Sequence, residues 1–219
     1  DLERSTRESE AAVLDGLRWL GIEWDGEMVR QSERAARHRE VVESLLAKGA
    51  AYRCLCTRED LEARRSADIA AGGKGNYDGR CRDLTEAERE ARRAEGRPRS
   101  LRFRTPTEGV SEFTDVVRGT VAVDWSTIPD FIIVRANGTP IFFLANAVDD
   151  LDMGITHVIR GEDLLDSTHR VLALRRAMGD DTVPVYAHLP LIVGADRAKL
   201  SKRHGAVSLE DFRDQGFLP

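Results

Sequence analysis

Apolar positions recur with two different periods along this chain, and the change of period divides it. In the N-terminal part the period is helical. Val13, Leu14, Leu17 and Leu20 lie three and four apart, behind Ser5 and Thr6, which can cap a helix starting near Arg7. Gly21 fits the end of that helix. A second helix is predicted from about Glu33 to Lys48, with Val41, Val42, Leu45 and Leu46 on one face and Gly49 after it. Ala50 to Cys54 reads as a short strand. Thr57 and Asp60 form a capping box that opens a polar, Arg-rich helix. The stretch GGKGNYDG is a loop by composition, and Leu84 to Gly96 reads as another charged helix.

From Pro98 the period changes. LRFRT, SEFTDVV and GTVAVDW are short β-rich runs separated by Gly and Pro. DFIIVRANGTPIFFL holds two apolar runs around Asn137-Gly138, which predicts a β-hairpin. The remainder alternates: strand THVIRG, helix DSTHRVLALRRAMG, strand VPVYAHLPLIV, then a basic loop and SLEDF, which resembles a helix start. Strand-helix-strand order predicts an α/β fold with a parallel, doubly wound sheet. Two regions are expected: an α/β framework from residues 1–53 and 126–219, and an inserted α+β subdomain over 54–125. No internal repeat is evident.

Composition narrows the function classes. The chain has 219 residues, 41% of them hydrophobic, enough for one large core or two modest ones. Charged residues make up 32%, and the formal net charge is -5, which argues against nucleic-acid binding through bulk positive charge. No apolar run approaches the ~18 residues of a membrane span, and Asp1 to Glu10 shows no signal peptide. A cytoplasmic location is the expectation. Cys54-x-Cys56 with Tyr77-x-x-x-Cys81 reads as a metal site before a disulfide, with three soft ligands suited to tetrahedral Zn²⁺.

The loop KLSKR, Lys199 to Arg203, carries the strongest chemical hint. Two Lys three apart can bring both ammonium groups to one polyphosphate, where charge on the phosphate oxygens grows in a transition state. Taken alone, the same loop could simply be solvated. ARRSAD and EREARRAEGRPRS could likewise track a nucleic-acid backbone or form ordinary charged helix faces.

Five stretches in order resemble the glutamyl form of the class I aminoacyl-tRNA synthetases: DLERST, YDGRCR, FLANAVDDLDMGITH, VIRGEDLLDST and KLSKRHGAVSLEDFRDQGFLP. The resemblance covers essentially the whole chain. It implies a Rossmann-type catalytic domain, incomplete at the N-terminus, with an inserted zinc-binding, acceptor-stem subdomain. It implies glutamate–tRNA ligation, in which ATP with Mg²⁺ activates L-glutamate and the product is transferred to the tRNA 3′ end. By the family pattern Phe142, Asn146 and Arg160 contact glutamate; a guanidinium can grip a γ-carboxylate bidentately. Arg160 at a strand end could also serve an ion pair with Asp149 or Asp150. Phe142 departs from the pattern, which usually has Tyr there.

Gly161, Glu162, Asp163 and Leu164 are expected beside ATP, as are Leu191 and Ile192. Lys199 and Lys202 are the expected catalytic charges, with Lys202 also binding ATP. Cys54, Cys56, Tyr77 and Cys81 are the expected zinc ligands, with Asp83 the alternative to Tyr77. The family's His-x-Gly-His element has no counterpart among His38, His157, His169, His188 and His204. The chain is therefore expected to be a fragment, inactive or severely impaired by itself, of a monomeric enzyme. Two other functions fit the same motifs: glutamyl transfer to a modified tRNA nucleoside by a paralogue, and non-catalytic tRNA binding by a synthetase-like protein.

Overall fold

A computed structural model describes residues 6–193 and 209–219. The chain divides into two compact units, Asp1–Val29 with Leu191–Pro219, and Arg30–Pro190. In the first unit α1 (Arg7–Trp19) is capped by the Thr6 hydroxyl, which accepts from the Ser9 backbone N–H at 3.1 Å. Helix α7 (Leu209–Asp214) joins it through Arg213, which donates to Asp15 at 2.6 Å.

The larger unit is built on two sheets. In the first, β1 (Ala51–Cys54), β2 (Ser100–Phe103) and β5 (Ile132–Val134) run antiparallel in that order. The second has the order β4-β3-β7-β6, from β3 (Val110–Asp115), β4 (Gly119–Asp124), β6 (His157–Gly161) and β7 (Val185–Leu189). Strands β3, β7 and β6 are parallel, and β4 is an antiparallel edge. The expected parallel sheet is present, but it crosses the boundary drawn at residue 125. The hairpin β3–β4, read as part of the insertion, belongs to the same sheet as β6 and β7. Alternation could mark these strands but not their partners, because pairing is set by which edge is free to accept hydrogen bonds.

Helices α2 (Ala35–Ala47), α5 (Phe142–Asp152) and α6 (Leu165–Met178) bury one apolar core. Val41, Leu45, Ile133, Leu144, Val148 and Leu174 lie within it. Each such side chain withdrawn from water contributes roughly 1.5–3 kcal/mol before chain entropy is counted. Two polar helices, α3 (Arg58–Ala70) and α4 (Glu86–Ala94), both start on the capping boxes that Thr57–Asp60 and Thr85–Glu88 form.

The predicted hairpin at Asn137-Gly138 forms only in part. The turn is made, with Gly138 at φ +83 and its N–H donating to Arg135 O at 2.9 Å. Its second arm is a single bridge, Val134↔Pro140, and the chain then enters α5. Pro140 has no N–H to extend a ladder. Leu144, Ala147 and Val148 recur at helical spacing and are buried. The run PIFFL reads as a strand only when it is separated from the residues after it.

Candidate active site

Strands β3, β7 and β6 turn one face toward α6. Ser111, Phe113 and Asp115 alternate inward on β3, and Tyr186 and His188 do so on β7. Register places Arg160 of β6 directly beside His188. Four side chains meet there. The Asp115 carboxylate is 2.7 Å from His188 Nδ1 and also accepts the His188 backbone N–H at 3.0 Å. His188 Nε2 accepts from Arg160 Nε at 3.0 Å. Arg160 Nη2 donates to Thr168 Oγ1 at 2.7 Å and to Leu164 O at 3.2 Å. Thr168 and His188 are wholly buried, and Asp115 nearly so. Burial alone would raise the Asp115 carboxyl. Hydrogen bonds from His188 and from the Arg118 and Val117 N–H groups outweigh it and hold the carboxyl at about 2.

Arg160 lies at the carboxyl end of β6, the edge of a parallel sheet where ligands collect. Burial pushes its guanidinium down from the ordinary value, and attraction from Tyr186, Asp150 and Asp163 opposes this. Of the two carboxylates weighed as its partner, Asp149 is engaged elsewhere. It accepts from Gln31 at 2.9 Å, Arg34 at 2.6 Å and His38 at 2.8 Å. Asp150 interacts with Arg160 through charge, without a hydrogen bond, and takes one from Asn146 at 2.5 Å. Asn146 and Arg160 thus share Asp150 as a neighbour. Phe142 begins α5, stands half exposed, and sets its ring edge-on to Phe143 at 6.0 Å.

Strand β6 ends at Gly161, and Glu162–Leu164 follow it as a short 3-10 segment. Gly161 has φ -68, an extended conformation open to any residue. Glu162 forms an ion pair with Arg118 in the β3–β4 turn, and the Arg118 N–H donates to Asp115 at 2.8 Å. The turn and the buried Asp115–His188 pair are therefore tied together. Leu191 and Ile192 belong to the other compact unit, where the Ile192 side chain is exposed. Lys199, Lys202 and the whole KLSKR loop lie outside the described residues.

The sequence reading missed Asp115, Thr168 and His188. The signal was present: a His within VYAHL sits two residues from Tyr186 and so shares its buried face. A buried imidazole needs partners for both nitrogens.

The cysteines do converge. Cys54 ends β1, Cys56 lies in the following turn, and Cys81 precedes α4; all three are buried. Their sulfur atoms lie within 4.8 Å of one another, with Cys56 and Cys81 at 3.6 Å. Hydrogen bonds from the Cys56 and Cys81 S–H groups push the Cys54 thiol down, and Cys56, whose proton is held by Cys54, is pushed up. The Tyr77 hydroxyl is 3.6 Å from Cys54 Sγ. Asp83 is 80% exposed at its side chain and pairs with Arg104 at 2.9 Å. Zinc–sulfur bonds of ~2.3 Å in a tetrahedron require sulfurs a little under 4 Å apart, so the three thiols fit such an ion. Tyr77, unlike Asp83, stands at the cluster.

The family model for class I tRNA synthetases (E and Q), catalytic domain, matches residues 1–219. A glutamate–tRNA ligase of Acidithiobacillus ferrooxidans is 48% identical over 219 residues, covering 100% of this chain and 46% of that protein. One from Geobacter sulfurreducens shows the same identity and coverage. The crystal structure of a glutamate tRNA ligase from Elizabethkingia meningosepticum, in complex with its amino acid, superimposes with a TM-score of 0.81 at 34% identity, covering 99% of this chain and 45% of that one. The chain spans about half the length of the relatives it matches.

Proposed function

Because this chain belongs to the class I tRNA synthetase family of the glutamate and glutamine type, we propose that it is catalytic-domain sequence of a glutamate–tRNA ligase. The reaction is activation of L-glutamate by ATP, followed by transfer to the 3′ ribose of a glutamate tRNA. The observation that carries the reading is a cation, Arg160, held at the carboxyl end of a parallel strand by buried partners. A substrate with a side-chain carboxylate needs such a group, and a neutral pocket would not select it.

In this reading Arg160, Asn146 and Phe142 hold glutamate. Gly161 to Leu164 border ATP. In-line attack of the α-carboxylate on the α-phosphate forms glutamyl-adenylate and releases pyrophosphate. That step asks for alignment and charge neutralisation rather than for a general base. Lys199 and Lys202 supply the positive charge at the phosphates, together with Mg²⁺. Cys54, Cys56, Cys81 and Tyr77 would hold a structural Zn²⁺, which would fix the fold of the insertion rather than enter the chemistry. Among the described residues no helix is long and apolar enough to cross a membrane.

The names of the relatives favour ligation over glutamylation of a modified nucleoside and over non-catalytic binding. The test uses the complete protein with ATP, tRNA and each of glutamate, glutamine and aspartate. Glutamyl-tRNA formed well ahead of the other two products is the expected result. Failure to form it, or equal use of glutamine, would overturn the proposal.

A further inference from the structure

We propose that His188 and Thr168 are positioning residues that fix the guanidinium of Arg160, and that Asp115 sets the imidazole tautomer on which this depends. The inference rests on the reading of Arg160 as the group that meets the substrate's side-chain carboxylate.

The proton positions are dictated by groups that can only donate. Arg160 Nε always carries a hydrogen, so His188 Nε2, 3.0 Å away, must accept. The ring proton therefore lies on Nδ1, which faces the Asp115 carboxylate at 2.7 Å. Asp115 is itself fixed, because it also accepts the backbone N–H groups of Val117 at 2.9 Å and Arg118 at 2.8 Å. A carboxylate so placed turns the unprotonated nitrogen of the imidazole toward Arg160, which settles both orientation and tautomer.

Arginine has a long flexible stem, and an unrestrained guanidinium would sample many planes. Here two of its three nitrogens are bound by protein. Nε meets His188, and Nη2 meets Thr168 and Leu164 O. Nη1 makes no hydrogen bond among the described residues and is the nitrogen left for a ligand. The substrate carboxylate would then meet Nη1, in a guanidinium plane set beforehand by β7 and α6. A merely structural ion pair would look different. It would end on a hydrogen-bonded carboxylate, whereas Arg160 hydrogen-bonds only neutral acceptors among the described residues and meets Asp150 and Asp163 through charge alone.

The test measures initial rates of glutamyl-tRNA formation by the complete protein, varying glutamate and ATP separately. His188→Leu removes the acceptor. It is expected to raise the glutamate KM about ten- to hundredfold, with the ATP KM and kcat changed less than about threefold. His188→Gln keeps an oxygen able to accept from Arg160 Nε and is expected to recover most of that loss. Should His188→Leu not fold, Thr168→Val, which preserves shape, carries the test with a rise of about tenfold in glutamate KM alone. An unchanged glutamate KM, or equal rises for glutamate and ATP, would overturn the inference while leaving the ligase reading standing. Absence of glutamyl-tRNA formation by the wild-type protein would overturn that reading and the inference with it.

Discussion

Asp149 and His38 are hydrogen-bonded at 2.8 Å, joining α5 to α2 in the interior. Arg34 and Gln31 donate to the same carboxylate. Three donors from one segment thus converge on a single group of another. Asp149→Ala leaves the buried His38 without this acceptor, whereas Gln31 is exposed and Arg34 keeps Asp152. Leaving one buried group without its acceptor, beside a partly exposed ion pair, costs about 1–3 kcal/mol. A fall of that size in the urea unfolding free energy is expected, and a change under about 1 kcal/mol would rule out the anchoring role.

Asp115 predicts a pH dependence. Its folded carboxyl lies at about 2, below the ordinary carboxylate value. A depressed acid stabilises the fold above its unfolded pKa, near 4, and loses that contribution as pH falls toward about 2. The loss is roughly 2 kcal/mol. Urea unfolding of wild type and Asp115→Asn between pH 5 and pH 2 should show the wild type falling more steeply. Parallel curves would mean that Asp115 does not carry the dependence.

The cysteine cluster predicts metal content. Purified protein should carry about one zinc per chain by elemental analysis, and Cys56→Ser should carry almost none. Asp83→Ala should keep the ion, because Asp83 faces solvent and Arg104. Tyr77→Phe should release it to a chelator faster than wild type does. Zinc lost from Asp83→Ala but retained in Tyr77→Phe would reverse the assignment of the fourth ligand.

Phe142 offers a gain of contact. Its ring is half exposed at the start of α5, so a hydroxyl can be added without overpacking. Phe142→Tyr is expected to lower the glutamate KM by about two- to tenfold, the worth of one neutral hydrogen bond. An unchanged or higher KM would place the ring away from the substrate.

Several elements were legible from local pattern. The capping boxes at Thr57 and Thr85 mark the starts of α3 and α4 because a side chain reaching its own backbone needs no distant partner. The inward face of β3 was not legible, because Ser111 and Asp115 are buried on it while Val110 is exposed. The hairpin second arm was misread because β-rich and helical runs of about five residues look alike until the longer period appears. The spacing of Cys54, Cys56 and Cys81 foretold that they would cluster, whereas Tyr77 and Asp83 could be ranked as neighbours of that cluster only by where the fold puts them.

By itself, then, the sequence determined the family, the parallel α/β character and the cation at the end of β6. These depend on residue identity and on neighbours close in the chain. Only the tertiary structure decided which partners that cation has. Asp115, Arg160, Thr168 and His188 come from β3, β6, α6 and β7, and sheet register and the packing of α6 join them. Asp149 and Asp150 are adjacent in sequence, yet a helix turns them to different neighbours, one to α2 and the other toward Arg160.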